Sequence, residues 1–69
     1  MPIAFMKAGM ACHVRAIHGN DAVRRRLGDM GFVEGASVTV IAEAAGGLIV
    51  EVCGARVALD ADLAKRIFV

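Results

Sequence analysis

The stretch Arg26-Leu27-Gly28-Asp29-Met30-Gly31-Phe32-Val33-Glu34-Gly35 decides how this chain is read. It holds the last turns of a helix, a glycine stop, and a turn that leads into a strand. Just upstream, Val23, Leu27 and Met30 recur at i, i+4 and i+7, which is one face of a helix. Asn20 and Asp21 are good N-cap residues, so the spacing predicts a helix over about 20–30. Gly31 stands where a helix ends on a left-handed residue. Gly28 lies inside the helix, at a cost of about 1 kcal/mol relative to Ala. It either permits close packing against a strand or is a tolerated defect. Downstream, Ser37-Val38-Thr39-Val40-Ile41 alternates as a strand does.

The strands that follow can be registered by parity. Placing Val38 and Val40 on the same face as Val50 and Val52 in an antiparallel hairpin requires an odd loop. Ala45-Gly46-Gly47 supplies three residues with glycine at the left-handed position, and Val40 then opposes Val52. Keeping Val50 and Val52 on the same face as Val57 and Leu59 requires an even loop. Gly54-Ala55 fits as a type II′ turn, with Val52 opposite Val57. On this register Cys53 faces outward opposite Arg56. Asp60 caps a short helical turn over about 61–65. Arg66-Ile67-Phe68-Val69 then reads as a last strand, with Ile67 and Val69 inward.

At the N-terminal end, Pro2 to Met6 reads as extended and Lys7-Ala8-Gly9-Met10 as a turn. Cys12 to Ile17 reads as a strand whose inward residues, Val14 and Ile17, are three apart. That spacing breaks the period of two and predicts a bulge or bend. The sum is a mainly β chain of about five short antiparallel strands, one inserted helix and one helical turn. Such strands bury one apolar face best by curling into a small, partly open SH3-like barrel.

Sixty-nine residues are expected to form one domain spanning 1–69. A chain this size buries only about 60% of its unfolded surface. Its 58% hydrophobic content exceeds the roughly 45–50% usual for soluble domains, so a packed core is expected. Some of that apolar surface is left for a partner to cover. Glu43 and Glu51 interrupt the apolar stretches before either reaches the length of a membrane span. Pro2 to Met6 is too short for a signal-peptide core, which points to the cytoplasm. A net charge of +1 argues against nucleic acid as partner. Cys12 and Cys53 are expected to be free thiols.

The order and spacing of these residues resemble the FeoA family. Lys7-Ala8-Gly9 with Val14 and Ile17 is similar to its opening strand, and Arg26-Leu27, Met30-Gly31-Phe32 and Gly35 to its central signature. Val38, Val40, Val50, Val52, Gly54, Ala58 and Leu59 resemble its middle strands. Ala64, Ile67 and Val69 resemble its closing strand. Two departures stand out: the Ala44 to Gly47 loop lacks an expected Pro, and Asp60 to Asp62 is a short acidic connection. The resemblance implies a small SH3-like accessory to a membrane ferrous-iron transporter that carries a GTP-binding domain. A similar domain also ends some metal-responsive repressors, so fold alone does not assign the role.

Nothing in the sequence suggests catalysis. It has one Ser and one Thr, no Tyr or Trp, and no glycine loop ahead of Lys-Ser/Thr. No cofactor is implied. A metal-binding or metal-sensing module, the alternative reading, would have to use Cys12, His13, His18 and Cys53. Their spacing is poor, because Cys12 and His13 are adjacent and face opposite sides of a strand. For partner binding, the candidates are Arg24 and Arg25 on the helix, and the apolar residues Phe32, Val33, Ile41, Ile49 and Phe68. Ile41, Ile49 and Phe68 have outward parity, while Phe32 and Val33 sit in the turn after the helix. They suit a docking strip on the cytosolic part of the transporter, or an open strand edge that takes a peptide or another copy.

Overall fold

A computed structural model describes residues 1–69. The chain opens with a 3-10 turn at Ile3–Phe5 and continues through β1 (Ala11–His13), β2 (Ala16–Ile17) and α1 (Asp21–Asp29). Then come β3 (Ser37–Ala44), β4 (Gly47–Val52), β5 (Ala55–Asp60), α2 (Ala61–Ala64) and β6 (Ile67–Phe68). All pairings are antiparallel, in one sheet ordered β1-β3-β4-β5 and a ribbon of β2 with β6.

The bend expected between Val14 and Ile17 is a full break. β1 pairs with β3 and β2 with β6, so the first strand crosses from one sheet to the other. Val14 sits at the corner and is buried, where its N–H donates to Ala36 O at 2.9 Å. Leaving the first sheet here is what lets the chain enclose its core from two sides.

Both hairpin turns differ from expectation. The first loop is Ala45-Gly46, two residues, because Ala44 pairs directly with Gly47. An even loop gives the wrong parity for the core, and Ile41 corrects it. Ala42 pairs with Ile49 and Val40 with Val50, so Ile41 is the extra residue of a bulge. Past the bulge Val38 opposes Val52, two residues along β3 from the predicted partner Val40. The second loop is Cys53-Gly54, with φ of 53° and 76°. Two positive φ angles make a type I′ turn, whose twist suits a two-residue hairpin. Val50 therefore opposes Val57, and Arg56 opposes Glu51 and not Cys53. The predicted parity of this hairpin holds, with the partner of Val57 displaced by two residues along β4.

The caps are as the sequence indicates. Asn20 Oδ1 accepts from Val23 N at 2.9 Å, and Asp60 Oδ1 accepts from Leu63 N at 2.8 Å. Gly31 follows α1 with φ 104°. It also touches the β4–β5 turn, since a Cβ there would lie 2.9 Å from Cys53 Sγ. Val38, Val40, Leu48, Val50, Val52 and Leu59 line the sheet face, and Leu27, Leu63, Ala64 and Ile67 close over it. The N-terminal segment, expected to be extended, is helical and sends Ile3 and Met6 into the core. No helix is long and apolar enough to cross a membrane.

Gly28 has open space where a Cβ would stand, so it packs against nothing. Gly28→Ala is expected to raise stability by about 1 kcal/mol in urea unfolding. A Cβ on Gly47 would collide with the Leu59 carbonyl across the hairpin. Gly47→Ala should lower stability by about 1–3 kcal/mol in the same measurement.

Candidate docking surface

The ribbon of β2 and β6 presents the most distinctive chemistry on the surface. Ala16 opposes Phe68 and Ile17 opposes Ile67. One residue beyond β2, His18 donates its N–H to Arg66 O at 2.7 Å. That bond holds the imidazole against the Phe68 ring, with centroids 4.1 Å apart and planes 26° from parallel. Pro2 bridges to Phe68 from the N-terminal segment, so the short ribbon is braced on its other side.

The stacked pair forms a ridge between two shallow clefts. One, of about 350 Å³, is lined by Met1, Arg15, Ala16, His18, Phe68 and Val69. The other, of about 320 Å³, is lined by His18, Gly19, Asp62, Lys65, Arg66 and Phe68. Arg15, Lys65 and Arg66 thus place three cationic side chains around one aromatic ridge. Arg66 Nε is 3.4 Å from Asp62 Oδ2, and no ion pair holds Arg15 or Lys65. The surface has apolar contact area with unneutralised positive charge beside it, and it contains no nucleophile with a base.

The other predicted residues are dispersed. Phe32 is 1% exposed and packs in the core, so its place on a docking strip is corrected. The chain after α1 folds inward, and the Phe32 N–H donates to Leu27 O at 3.0 Å, which seats the ring beneath the helix end. Val33, by contrast, is 54% exposed. Ile41 stands at the bulge and Ile49 on β4, both half-buried. Arg24 lies 3.3 Å from Asp21 on the exposed face of α1. Arg25 is exposed, and Arg26 borders a third cleft beside the Ala45-Gly46 turn. Phe5 is the most exposed large apolar side chain at 70%.

Cys12, His13, His18 and Cys53 do not converge, and no three His, Cys, Asp or Glu side chains group to hold a metal ion. Cys12 and His13 lie on β1, His18 beside β6, and Cys53 in the β4–β5 turn. Both cysteines are free. Cys12 Sγ lies 3.6 Å from Val38 O, and burial pushes its thiol above the usual range.

Arg15, Lys65 and Arg66 were missed by the sequence reading. Arg15 precedes β2 and Lys65 and Arg66 precede β6, and only the antiparallel pairing of those strands assembles them. The pattern of a basic residue shortly before an aromatic one in both segments was the available signal.

Comparison with known proteins bears on this geometry. The FeoA domain family model matches residues 1–69. The chain belongs to the FeoA family. That family is associated with ferrous-iron transport as an accessory domain and is not known for catalysis. The crystal structure of an iron uptake regulatory protein, FeoA, is 33% identical with a TM-score of 0.88, over 96% of this chain and 88% of that one. FeoA from Stenotrophomonas maltophilia, solved with zinc, is 32% identical with a TM-score of 0.85, over 99% of this chain and 87% of that one. It is described as a procaryotic SH3 domain protein and suggested as a ferrous-iron transport activating factor. FeoA from Chlorobium tepidum is 31% identical with a TM-score of 0.89, over 99% of this chain and 67% of that one. The fold expected for this FeoA domain is therefore found, a mainly β SH3-like architecture with two helices. No curated protein gave a significant sequence match.

The two thiols offer a direct test of the described environment. At mildly alkaline pH, alkylation should modify exposed Cys53 first and Cys12 about tenfold more slowly, with the difference lost in denaturant. Because folding raises the Cys12 pKa, its contribution to stability is present below the unfolded thiol pKa, near 8.5. That contribution is lost as pH rises through the folded value. Cys12→Ala should flatten this alkaline decline in a pH series of unfolding curves.

Proposed function

We propose that this FeoA domain is a non-catalytic docking module. It acts in the cytoplasm on the cytosolic part of a membrane ferrous-iron transporter that carries a GTP-binding domain. The reading rests on one observation above others: the His18–Phe68 ridge flanked by Arg15, Lys65 and Arg66. Membership in a family tied to ferrous-iron transport supplies the class of partner.

The chemistry of that ridge suits an acidic segment with an apolar side chain. A carboxylate gains from unpaired Arg15 or Lys65, and an apolar group gains from covering the Phe68 face. The paired Arg66 and Asp62 fix the second cleft's shape more than its charge. A module without catalytic groups regulates only by binding two states of its partner with different affinity. The Phe68 candidate belongs to this surface, whereas Arg24, Arg25, Val33, Ile41 and Ile49 lie outside it.

The test is a titration of labelled protein with the transporter's cytosolic domain, read by backbone amide shifts. Saturable shifts should cluster at Arg15 to Gly19 and Asp62 to Val69. Arg15→Glu with Lys65→Glu should weaken binding at least about tenfold, most strongly at low salt. Arg25→Glu should leave it unchanged. Shifts confined to α1, or affinity indifferent to the double reversal, would overturn the proposal.

A further inference from the structure

The edge of the four-stranded sheet carries a self-complementary pattern. β5 is the last strand in the order β1-β3-β4-β5, and nothing pairs with its outer side. It is six residues long, free of Pro, and pairs with β4 without a bulge. β1, at the opposite edge, is only three residues long.

The alternation of the ladder fixes which groups face out. Val52 and Ala55 flank the two-residue turn and form its narrow pair. The same alternation reappears at the far end, where Ala61 N–H donates to Gly46 O at 2.7 Å. Residues 55, 57, 59 and 61 therefore bond toward β4. Arg56 and Ala58 direct both N–H and C=O away from it, and neither takes part in any turn or inter-element hydrogen bond. Asp60 N–H points the same way.

We propose that β5 pairs with β5 of a second copy across a two-fold axis at Ala58. Narrow pairs across that axis must join outward-facing residues to outward-facing residues. Centring on Ala58 places it opposite itself and Arg56 opposite Asp60 of the other copy, in both directions. Four backbone hydrogen bonds follow: Ala58 N–H to Ala58 O twice, and Asp60 N–H to Arg56 O twice. The register that shifts by one pair leaves Arg56 opposite Ala58 and neutralises nothing. Arg56 is exposed and has no carboxylate within ion-pair distance in the monomer. Asp60 uses Oδ1 for its cap and keeps Oδ2 free for a guanidinium. Two ion pairs of opposite direction select a second copy of this chain over an arbitrary strand. The sheet becomes eight strands long, and the His18–Phe68 ridge lies outside the pairing, so this inference stands apart from the docking reading.

The experiment is sedimentation across a concentration series on the full chain, joined to amide hydrogen exchange. The expected mass rises from 7.2 kDa toward twice that value, and Ala58 and Asp60 amides slow about tenfold as concentration rises. Ala58→Pro removes an N–H that bonds nothing inside the molecule, and should abolish association. Arg56→Glu leaves the backbone unchanged and should weaken association at least about tenfold, so the test survives if the proline variant does not fold. A monomer at all concentrations would overturn the proposal. So would association indifferent to Arg56→Glu, or protection of Ala58 only on adding the transporter's cytosolic domain.

Discussion

One mismatch of parity governs this fold. The apolar residues of β3 and β4 must share a face, yet the turn joining them has two residues and sets them out of phase. The extra residue at Ile41 restores the phase, and everything inward of it, from Val40–Val50 to Val38–Val52, depends on that correction. A bulge also bends its strand and increases local twist. The residue that aligns the core thus also curls the sheet around it. Val14 does similar work at the other end, where the chain leaves one sheet for the other within three residues.

Closure of this small core then creates the surface. Once β2 and β6 are joined across the opening, side chains from both ends of the chain become neighbours. His18 is drawn onto Phe68 by a backbone hydrogen bond, a contact that needs no chemistry of its own to form. Arg15, Lys65 and Arg66 surround it because they lead into the two paired strands. The cationic, aromatic ridge is a by-product of barrel closure and needs no pocket in the core.

Much of the fold was legible in the chain. Helix α1 was readable from Val23, Leu27 and Met30, its start from Asn20 and its stop from Gly31. The cap at Asp60 was equally local. The turns were less so, because Cys53-Gly54 and Gly54-Ala55 satisfy the same parity and only the positive φ of Cys53 separates them. The core role of Phe32 was hidden by its position in a turn, where exposure is the usual outcome. Ile3 and Met6 were hidden by the lack of any period in so short a segment.

The sequence by itself determined helix α1, the α1 and α2 caps, the strand character of β3, β4 and β5, the bend near Val14 and the resemblance to the FeoA family. These depend on neighbours within a few residues, or on order along the chain. Tertiary structure decided the register at Ile41, the burial of Phe32 and the meeting of His18 with Phe68. The last joins opposite ends of the chain, and in all three only the packing of one shared core specifies which of several locally equivalent arrangements is formed.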